Sequence, residues 1–398
     1  MRLIFPGMEY PRTGGTENVV LEIARHATVN AKAEVVVMGS SNAFVVRRLH
    51  ELSIPFQLVT ASEANEFRSA HDDLFLHFSN NEWIARVAHL SGRALVWCLL
   101  AHLATGWNRF NFEQRFTGRK RIGTWFNRRI IQLLKKRHAL LAMDGATAEA
   151  IDTFAGGLAT PLLPIPIYAS IAQTAPFRST RPVVVSYIGR SDDVWKIYPA
   201  RKLMCDLGAL QIPVELEIFT DDCQPYVAML EGRIPDNVLV RYSLGIFGSA
   251  LRERISTRSS LHVSMGMSAL EGALSGVPTA LIDPSYSDLP DQYRYKWLWE
   301  TSSFSLGRFL STEDTEFSGH SIDALIQEVL DPKSREISAQ RCIDYVVHHH
   351  STERIVESLL SCRSTLTNRD LARWTPSAHP LSRLLGSVLR RPDGRPAP

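Results

Sequence analysis

The turn Gly189-Arg190-Ser191-Asp192-Asp193-Val194-Trp195-Lys196 follows an apolar run, Val183–Ile188, and sets two cations, Arg190 and Lys196, where a strand hands over to a helix. Arginine offers a planar fork that matches paired phosphate oxygens, and lysine a point charge. Together they suit a diphosphate and could offset the negative charge that builds on a departing nucleotide. A solvated turn in which Asp192 and Asp193 neutralise both cations is the competing reading.

A second turn, Met265-Gly266-Met267-Ser268-Ala269-Leu270-Glu271, lies deeper in the chain. Ser268 has the type of an N-cap and Glu271 the spacing of its capping-box partner, while Gly276 and Pro278 end the helix. The small residues in Gly266, Met267, Ser268, Ala269 and Leu270 leave room for a ligand above the helix N-terminus, where Glu271 can accept hydrogen bonds from ribose hydroxyls. Near the start, Thr13-Gly14-Gly15-Thr16-Glu17 follows the first apolar strand. Gly14 and Gly15 permit close approach of a ligand to the backbone at a helix N-terminus. An ordinary strand-to-helix turn, with Glu17 complementing the helix dipole, accounts for the same residues.

Positioning these turns requires strands and helices in alternation. Arg2–Pro6, Glu34–Met38, Phe56–Val59, Leu74–Phe78, Ala94–Leu100, Ala139–Met143 and Thr160–Leu163 read as strands with helical patterns between most of them. A second alternation starts at Val183 and continues through Val214–Phe219, Val238–Arg241, Leu261–Val263 and Thr279–Ile282, with helices at Tyr198–Leu210, Phe247–Thr257 and Ser268–Ser275. Nearly continuous apolar strands separated by helices predict parallel sheets covered on both faces. Helical periodicity alone follows, at Ile322–Leu330, Arg335–Val346 and Thr352–Leu360. The expected architecture is two Rossmann-like doubly wound domains facing a cleft. Residues 1–165 are expected to form the first domain, 166–181 a proline-rich linker, 182–345 the second domain, 346–370 a further helix, and 371–398 a basic, proline-rich tail.

The chain's 398 residues, 45% hydrophobic and 21% charged, suffice for two buried cores. A net charge of +3 is too mild to argue for nucleic acid. Cys98, Cys205, Cys223, Cys342 and Cys362 contain no C-x-x-C pair and signal neither a disulfide framework nor a zinc site. Met1–Pro6 reads as a short strand stopped by proline, and no apolar run reaches bilayer length, so a cytoplasmic protein is expected. The triplet His348-His349-His350 reads as exposed and silent.

These residues resemble the GT-B glycosyltransferases, and most closely glycosyltransferase family 4, the retaining glycosyl transferases group 1. Gly14-Gly15-Thr16-Glu17 is similar to the family's G-G-x-E turn, Gly189-Arg190 with Lys196 to its G-R…K clamp, and Leu270-Glu271-Gly272 through Gly276-Val277-Pro278 to its L-E-A-x-x-x-G-x-P helix. The resemblance covers about residues 1 to 360. It implies that Arg190 and Lys196 hold the diphosphate of a nucleotide sugar, that Glu271 binds its ribose, and that Gly14 and Gly15 lie near the diphosphate or acceptor. It also implies, by position alone, that His102 faces the transferred sugar. Two departures stand out. Val263 occupies the place of the first glutamate in the family's E-x7-E pattern, which leaves donor identity and retention open, and the Arg190 to Lys196 spacing is one residue longer than the commonest form.

No strict Asp-x-Asp occurs, so no cofactor and no metal are expected to bridge the diphosphate. The stretch Arg119–Arg137 interleaves basic residues with Trp125, Phe126 and aliphatics, the composition of a helix that lies on an anionic membrane. A core-facing helix with a solvated basic face fits the same pattern. The whole reads as a metal-independent transferase acting on a nucleotide sugar and a glycan or lipid-linked acceptor. A sugar-nucleotide epimerase and a non-catalytic binding subunit are the alternatives.

Overall fold

A computed structural model describes residues 1–78, 81–99, 120–168, 182–191, 194–310 and 316–373, with the side chains of 81–82 and 120–127 excepted. The chain divides into two compact units: Met1–Pro166 joined by the described chain from Thr352 onward, and Ile167–Ser351.

The first unit runs β1 (Arg2–Met8), α1 (Gly15–Val29), β2 (Glu34–Gly39), α2 (Phe44–Glu51), β3 (Gln57–Val59), β4 (Leu74–His77), α3 (Asn81–Arg86), β5 (Arg93–Cys98), α4 (Lys120–Lys136), β6 (Leu140–Ala142) and α5 (Gly145–Ala155). Its six described strands lie in the order β3-β2-β1-β4-β5-β6, every pair parallel. Leu3, Ile4, Phe5, Val36, Val37, Leu74, Phe75 and Leu95 are wholly or almost wholly buried, as strands covered on both faces must be. Helix α1 buries Val19, Val20, Ile23, Ala24 and Ala27, the three-and-four spacing of one helical face. Thr160–Leu163 forms no strand; only an isolated bridge joins Leu162 to Ala142.

The second unit runs β7 (Val183–Ile188), α6 (Val194–Gly208), β8 (Val214–Thr220), α7 (Gln224–Leu230), β9 (Val238–Leu244), α8 (Gly248–Arg258), β10 (Leu261–Ser264), α9 (Met267–Leu274), β11 (Thr279–Leu281), β12 (Lys296–Trp297), α10 (Ile322–Leu330) and α11 (Pro332–His349). Strand order is β12-β11-β10-β7-β8-β9. The sheet is parallel except for β12, which pairs antiparallel with β11 and corrects the expectation of parallel strands alone. So short a strand carries no periodicity that a sequence reading can detect.

Helix α11 is continuous from Asp331, whose carboxylate caps Ser334 N–H at 2.8 Å, to His350. A boundary at 345 would therefore cut it, and the division falls between Ser351 and Thr352. Helices α12 (Thr352–Ser361) and α13 (Asn368–Arg373) belong to the first unit, where α12 packs on α1. Ala94 N–H donates to Leu366 C=O at 2.7 Å, and His77 Nε2 lies 3.0 Å from Asn368 Oδ1. Most of the expected linker (169–181) and the tail from 374 lie outside the described residues. His348 and His349 are exposed as expected, but His350 is fully buried, its C=O accepting from Ile167 N–H at 2.9 Å.

Candidate active site

Strand β7 lies between β8 and β10, so the helices that follow β7 and β10 leave the sheet on either side of a topological switch point, where open α/β sheets bind ligands beyond the carboxyl ends of their strands. Both turns singled out in the second unit arise there. Strand β1 occupies the equivalent place in the first unit, between β2 and β4, and leads into Gly14 and Gly15.

The turn after β7 is held from below. Gly189 N–H donates to Phe219 C=O at 3.1 Å. A Cβ at position 189 would meet Tyr226 Oη at 2.2 Å and a Tyr187 ring carbon at 2.8 Å, so only glycine fits. The same two tyrosines reach the cationic turn: Tyr187 O–H donates to Lys196 C=O at 2.6 Å and Tyr226 O–H to Arg190 C=O at 3.5 Å. Ser191 donates to Asp221 Oδ1 through its N–H at 2.9 Å and its hydroxyl at 3.0 Å. Burial pushes the Asp221 carboxyl up, but those bonds outweigh it and leave the group below the ordinary carboxylate range. Lys196 sits in the first turn of α6 with its ammonium 4.8 Å from the Trp195 ring centroid. Asp192 and Asp193, the proposed neutralisers, lie outside the described residues.

The turn after β10 is two residues, Met265 and Gly266. Gly266 is the N-cap of α9 at φ 58° and ψ −142°, a conformation that favours glycine, and open space lies where a Cβ would point. Its N–H donates to Leu306 C=O at 2.7 Å. Ser268 is therefore not the N-cap, because the helix begins a residue before it. Among the described residues no side chain caps this terminus, and its first N–H groups and the positive end of the helix dipole suit a ligand. Nor does Glu271 close a capping box. Its Oε2 is ion-paired with Nε of Arg252 on α8, with both side chains mostly buried, and Arg252 also donates to Tyr168 C=O at 3.3 Å. Leu270 is buried, and Met267 begins the helix.

Sequence reasoning missed Arg252 and His262. His262 on β10 is fully buried and has Ser186 Oγ at 2.9 Å from Nδ1 and Ser268 C=O at 3.1 Å from Nε2. A carbonyl only accepts, so Nε2 carries the proton and Nδ1 accepts from Ser186. Burial lowers the pKa of His262 to about 4. The ring thus joins β7, β10 and the first turn of α9 in one neutral bracket. A Cβ on Gly272 would fall 2.1 Å from its Cδ2, which explains the glycine there. The signal was a serine and a histidine in otherwise apolar strands, whereas Arg252 sits in an unremarkable polar helix.

Val263 is fully buried in β10 and belongs to the core with Val183, Val185 and Ile218. With only Met265 and Gly266 between strand and helix, the position eight before Glu271 falls inside the strand. A carboxylate there would be buried in the core, away from any ligand above the helix.

In the first unit Gly14 is the N-cap of α1 at φ −151°, extended backbone open to any residue, and its C=O accepts from Asn18 N–H at 3.1 Å. Gly15 has no atom within 4 Å of a would-be Cβ. Packing therefore does not demand a glycine at position 15. His102 lies outside the described residues. Among the described residues no group of three His, Cys, Asp or Glu side chains is placed to hold a metal ion.

The basic stretch is only partly described. Within α4, Ile130, Ile131 and Leu134 are buried in the core, and Lys135 is buried with its ammonium 2.5 Å from Asp152 and 3.2 Å from Gly156 C=O. Ile130, Ile131 and Leu134 thus face the core and are not available for insertion into a bilayer; Leu133 is partly buried, and Arg128, Arg129, Lys136 and Arg137 are exposed. No described helix is long and apolar enough to cross a membrane.

No protein-family model matches the sequence, and no curated protein matches it. Solved structures do match over nearly the whole chain. The Anabaena protein HepE, crystallised with UDP and glucose, aligns at TM-score 0.58 and 14% identity over 92% of this chain and 100% of its own. The chain has the GT-B fold. A glycosyltransferase from Rickettsia africae aligns at TM-score 0.56 with 8% identity over 90% of this chain and 97% of that one. The lipopolysaccharide outer core galactosyltransferase WaaB aligns at 0.51 with 12% identity over 90% and 99%. At such identities the GT-B likeness concerns the path of the chain, and the side chains must be read from this structure.

Proposed function

We propose that this protein is a glycosyltransferase that moves a sugar from a nucleoside diphosphate sugar to a hydroxyl of a glycan or glycolipid acceptor, without a metal. The observation that carries this reading is the pairing, at one switch point, of a braced cationic turn with an uncapped helix N-terminus whose Glu271 is oriented by Arg252. In such a transfer the bond between the anomeric carbon and the diphosphate oxygen breaks while the acceptor oxygen bonds to that carbon. Negative charge then collects on the departing diphosphate. Arg190, Lys196 and the N–H groups opening α9 would stabilise that charge in place, needing no reorganisation as it develops. Glu271 would accept from the ribose hydroxyls, with Arg252 fixing its rotamer. The open space at Gly15 suits close approach of a ligand to the backbone of the first unit. Attachment to an anionic membrane face would rest on Arg128, Arg129, Lys136 and Arg137 as charge alone and would vanish with salt.

The buried Val263 favours a second reading, a binding subunit that holds nucleotide sugar without transferring it. One screen separates the cases: thermal shift against UDP, GDP, ADP, dTDP and CMP with EDTA present, followed by donor hydrolysis with the stabilising nucleotide's sugars. A ligand at 100 times its dissociation constant adds about 2.7 kcal/mol. Stabilisation by one diphosphate, lost in Lys196→Ala, together with slow donor hydrolysis supports the transferase. Binding without hydrolysis supports the subunit, and silence across the panel refutes both.

A further inference from the structure

Two aromatic side chains with no part in the reading so far, Tyr286 and Phe309, adjoin Trp195 of the cationic turn. The Phe309 ring lies 5.5 Å from that of Trp195 at 63° and 5.4 Å from that of Tyr286 at 12°, so Tyr286 stacks on Phe309 while Trp195 meets it edge-on. Trp195 precedes Lys196 and carries its ammonium over the indole. Tyr286 is 62% exposed although one face of its ring is covered, so its other face is open to solvent. An exposed aromatic held flat on a second ring is a platform, since neither ring must give up side-chain freedom when something settles on it.

The platform is tied to the site through backbone. Ser285 N–H donates to Trp195 C=O at 3.1 Å, Leu310 N–H to Pro284 C=O at 3.4 Å, and Gly266 N–H to Leu306 C=O at 2.7 Å. Arg308 N–H donates to the Asp283 carboxylate at 2.9 Å. The segment after β11 and the segment around Phe309 are therefore fastened to each other, to the turn after β7 and to the N-cap of α9.

Its side of the site follows from strand order. Arg252, the partner of Glu271, is on α8, and α8 lies over β8, because Arg254 and Arg258 reach Glu217 at 3.0 Å and Glu215 at 2.6 Å. Tyr286 follows β11. In the order β11-β10-β7-β8, these flank the β7 and β10 turns from opposite sides. A nucleoside diphosphate sugar whose diphosphate binds the cationic turn carries its sugar beside that turn, and the platform adjoins the turn through Trp195.

The geometry points to Tyr286, braced by Phe309 and Trp195, as the stacking surface for the transferred pyranose ring of the donor, a specificity-determining contact. The apolar C–H face of a pyranose matches the open aromatic face in shape and polarity. This assignment rests on the proposed donor site. The variant Tyr286→Ala removes the surface, and its exposed position leaves the fold intact; Tyr286→Phe keeps the ring.

Isothermal titration of wild type and both variants with UDP, GDP, ADP and dTDP, and with the glucose conjugate of each, tests it. For the nucleotide that binds, Tyr286→Ala should weaken the sugar conjugate about tenfold, or 1.4 kcal/mol, while changing the bare diphosphate less than about twofold, and Tyr286→Phe should match wild type. Equal loss for diphosphate and conjugate, no loss for either, or a wild type that binds the conjugate no tighter than the diphosphate overturns the stacking role and leaves the donor site standing. A wild type that binds no diphosphate overturns the donor site, and the stacking role with it.

Discussion

Replacing Gly189 by alanine tests the bracing of the cationic turn most directly. The added Cβ would lie 2.2 Å from Tyr226 Oη and 2.8 Å from a Tyr187 ring carbon, whereas ordinary contact begins at 3.4 Å. The two rings must retreat by more than half an ångström each, and both are fully buried. A close-packed interior resists such movement, and overpacking of this kind costs about 1–3 kcal/mol. In a unit of this size that is a fall of roughly 3–10 °C in melting temperature. The displaced hydroxyls are the ones that hold Arg190 C=O and Lys196 C=O, so nucleotide affinity should fall further than stability alone explains. Calorimetry of Gly189→Ala, Tyr226→Phe and the double variant measures both effects, because removing the Tyr226 hydroxyl takes away the nearer clash. The double variant should recover about half of the lost melting temperature but not the affinity. A Gly189→Ala protein with unchanged melting temperature, or a double variant no better than the single, would refute the reasoning.

Truncating Arg252 to alanine leaves the Glu271 carboxylate without its ion-pair partner on α8 and should cost about 1–3 kcal/mol of stability; if nucleotide affinity, followed by titration calorimetry, stays at the wild-type value, Glu271 is not oriented through Arg252. His262 is neutral in the folded protein with its pKa lowered to about 4 by burial, while the unfolded chain protonates it near 6.5. Its contribution is therefore intact above about pH 6.5, falls as pH drops, and is down by about 2 kcal/mol at pH 5. Urea midpoints at pH 7.5 and 5.0 should show that loss in wild type and a smaller one in His262→Gln, and parallel losses would contradict it. Lys135→Met should destabilise by about 1–3 kcal/mol through the Asp152 pair, whereas Lys136→Ala should change stability little; equal denaturation curves would return Lys135 to the surface.

Strand-and-helix alternation, the parallel pairing of both sheets apart from β12, and the three turns were legible because they depend on local periodicity and on glycine punctuation. Val183–Ile188 and Leu261–Val263 are apolar enough to demand burial on both faces, and a turn following such a strand must emerge at the carboxyl edge of a sheet. Gly189 and Gly266 stood out by type, and the structure supplies a different reason for each: tyrosines that leave no room in one case, a positive φ in the other. The long-range partners were not legible. Nothing near Glu271 in the sequence foretells Arg252, and capping-box spacing favoured Ser268 instead, because a local rule cannot see that the helix starts one residue earlier over a buried histidine. The basic pattern of Arg119–Arg137 likewise left its apolar side open to two partners, and the sheet took the described part of it.

The sequence by itself determined the alternation of most strands and helices, because each such element is set by residues within a few positions of one another. Tertiary structure alone decided which strand ends became neighbours, and thereby that Arg190, Lys196, Gly266 and Glu271 belong to one switch point with Tyr286 beyond it. Strand order is chosen by the burial of whole faces, a quantity summed over residues far apart in the chain, and no window of sequence contains it.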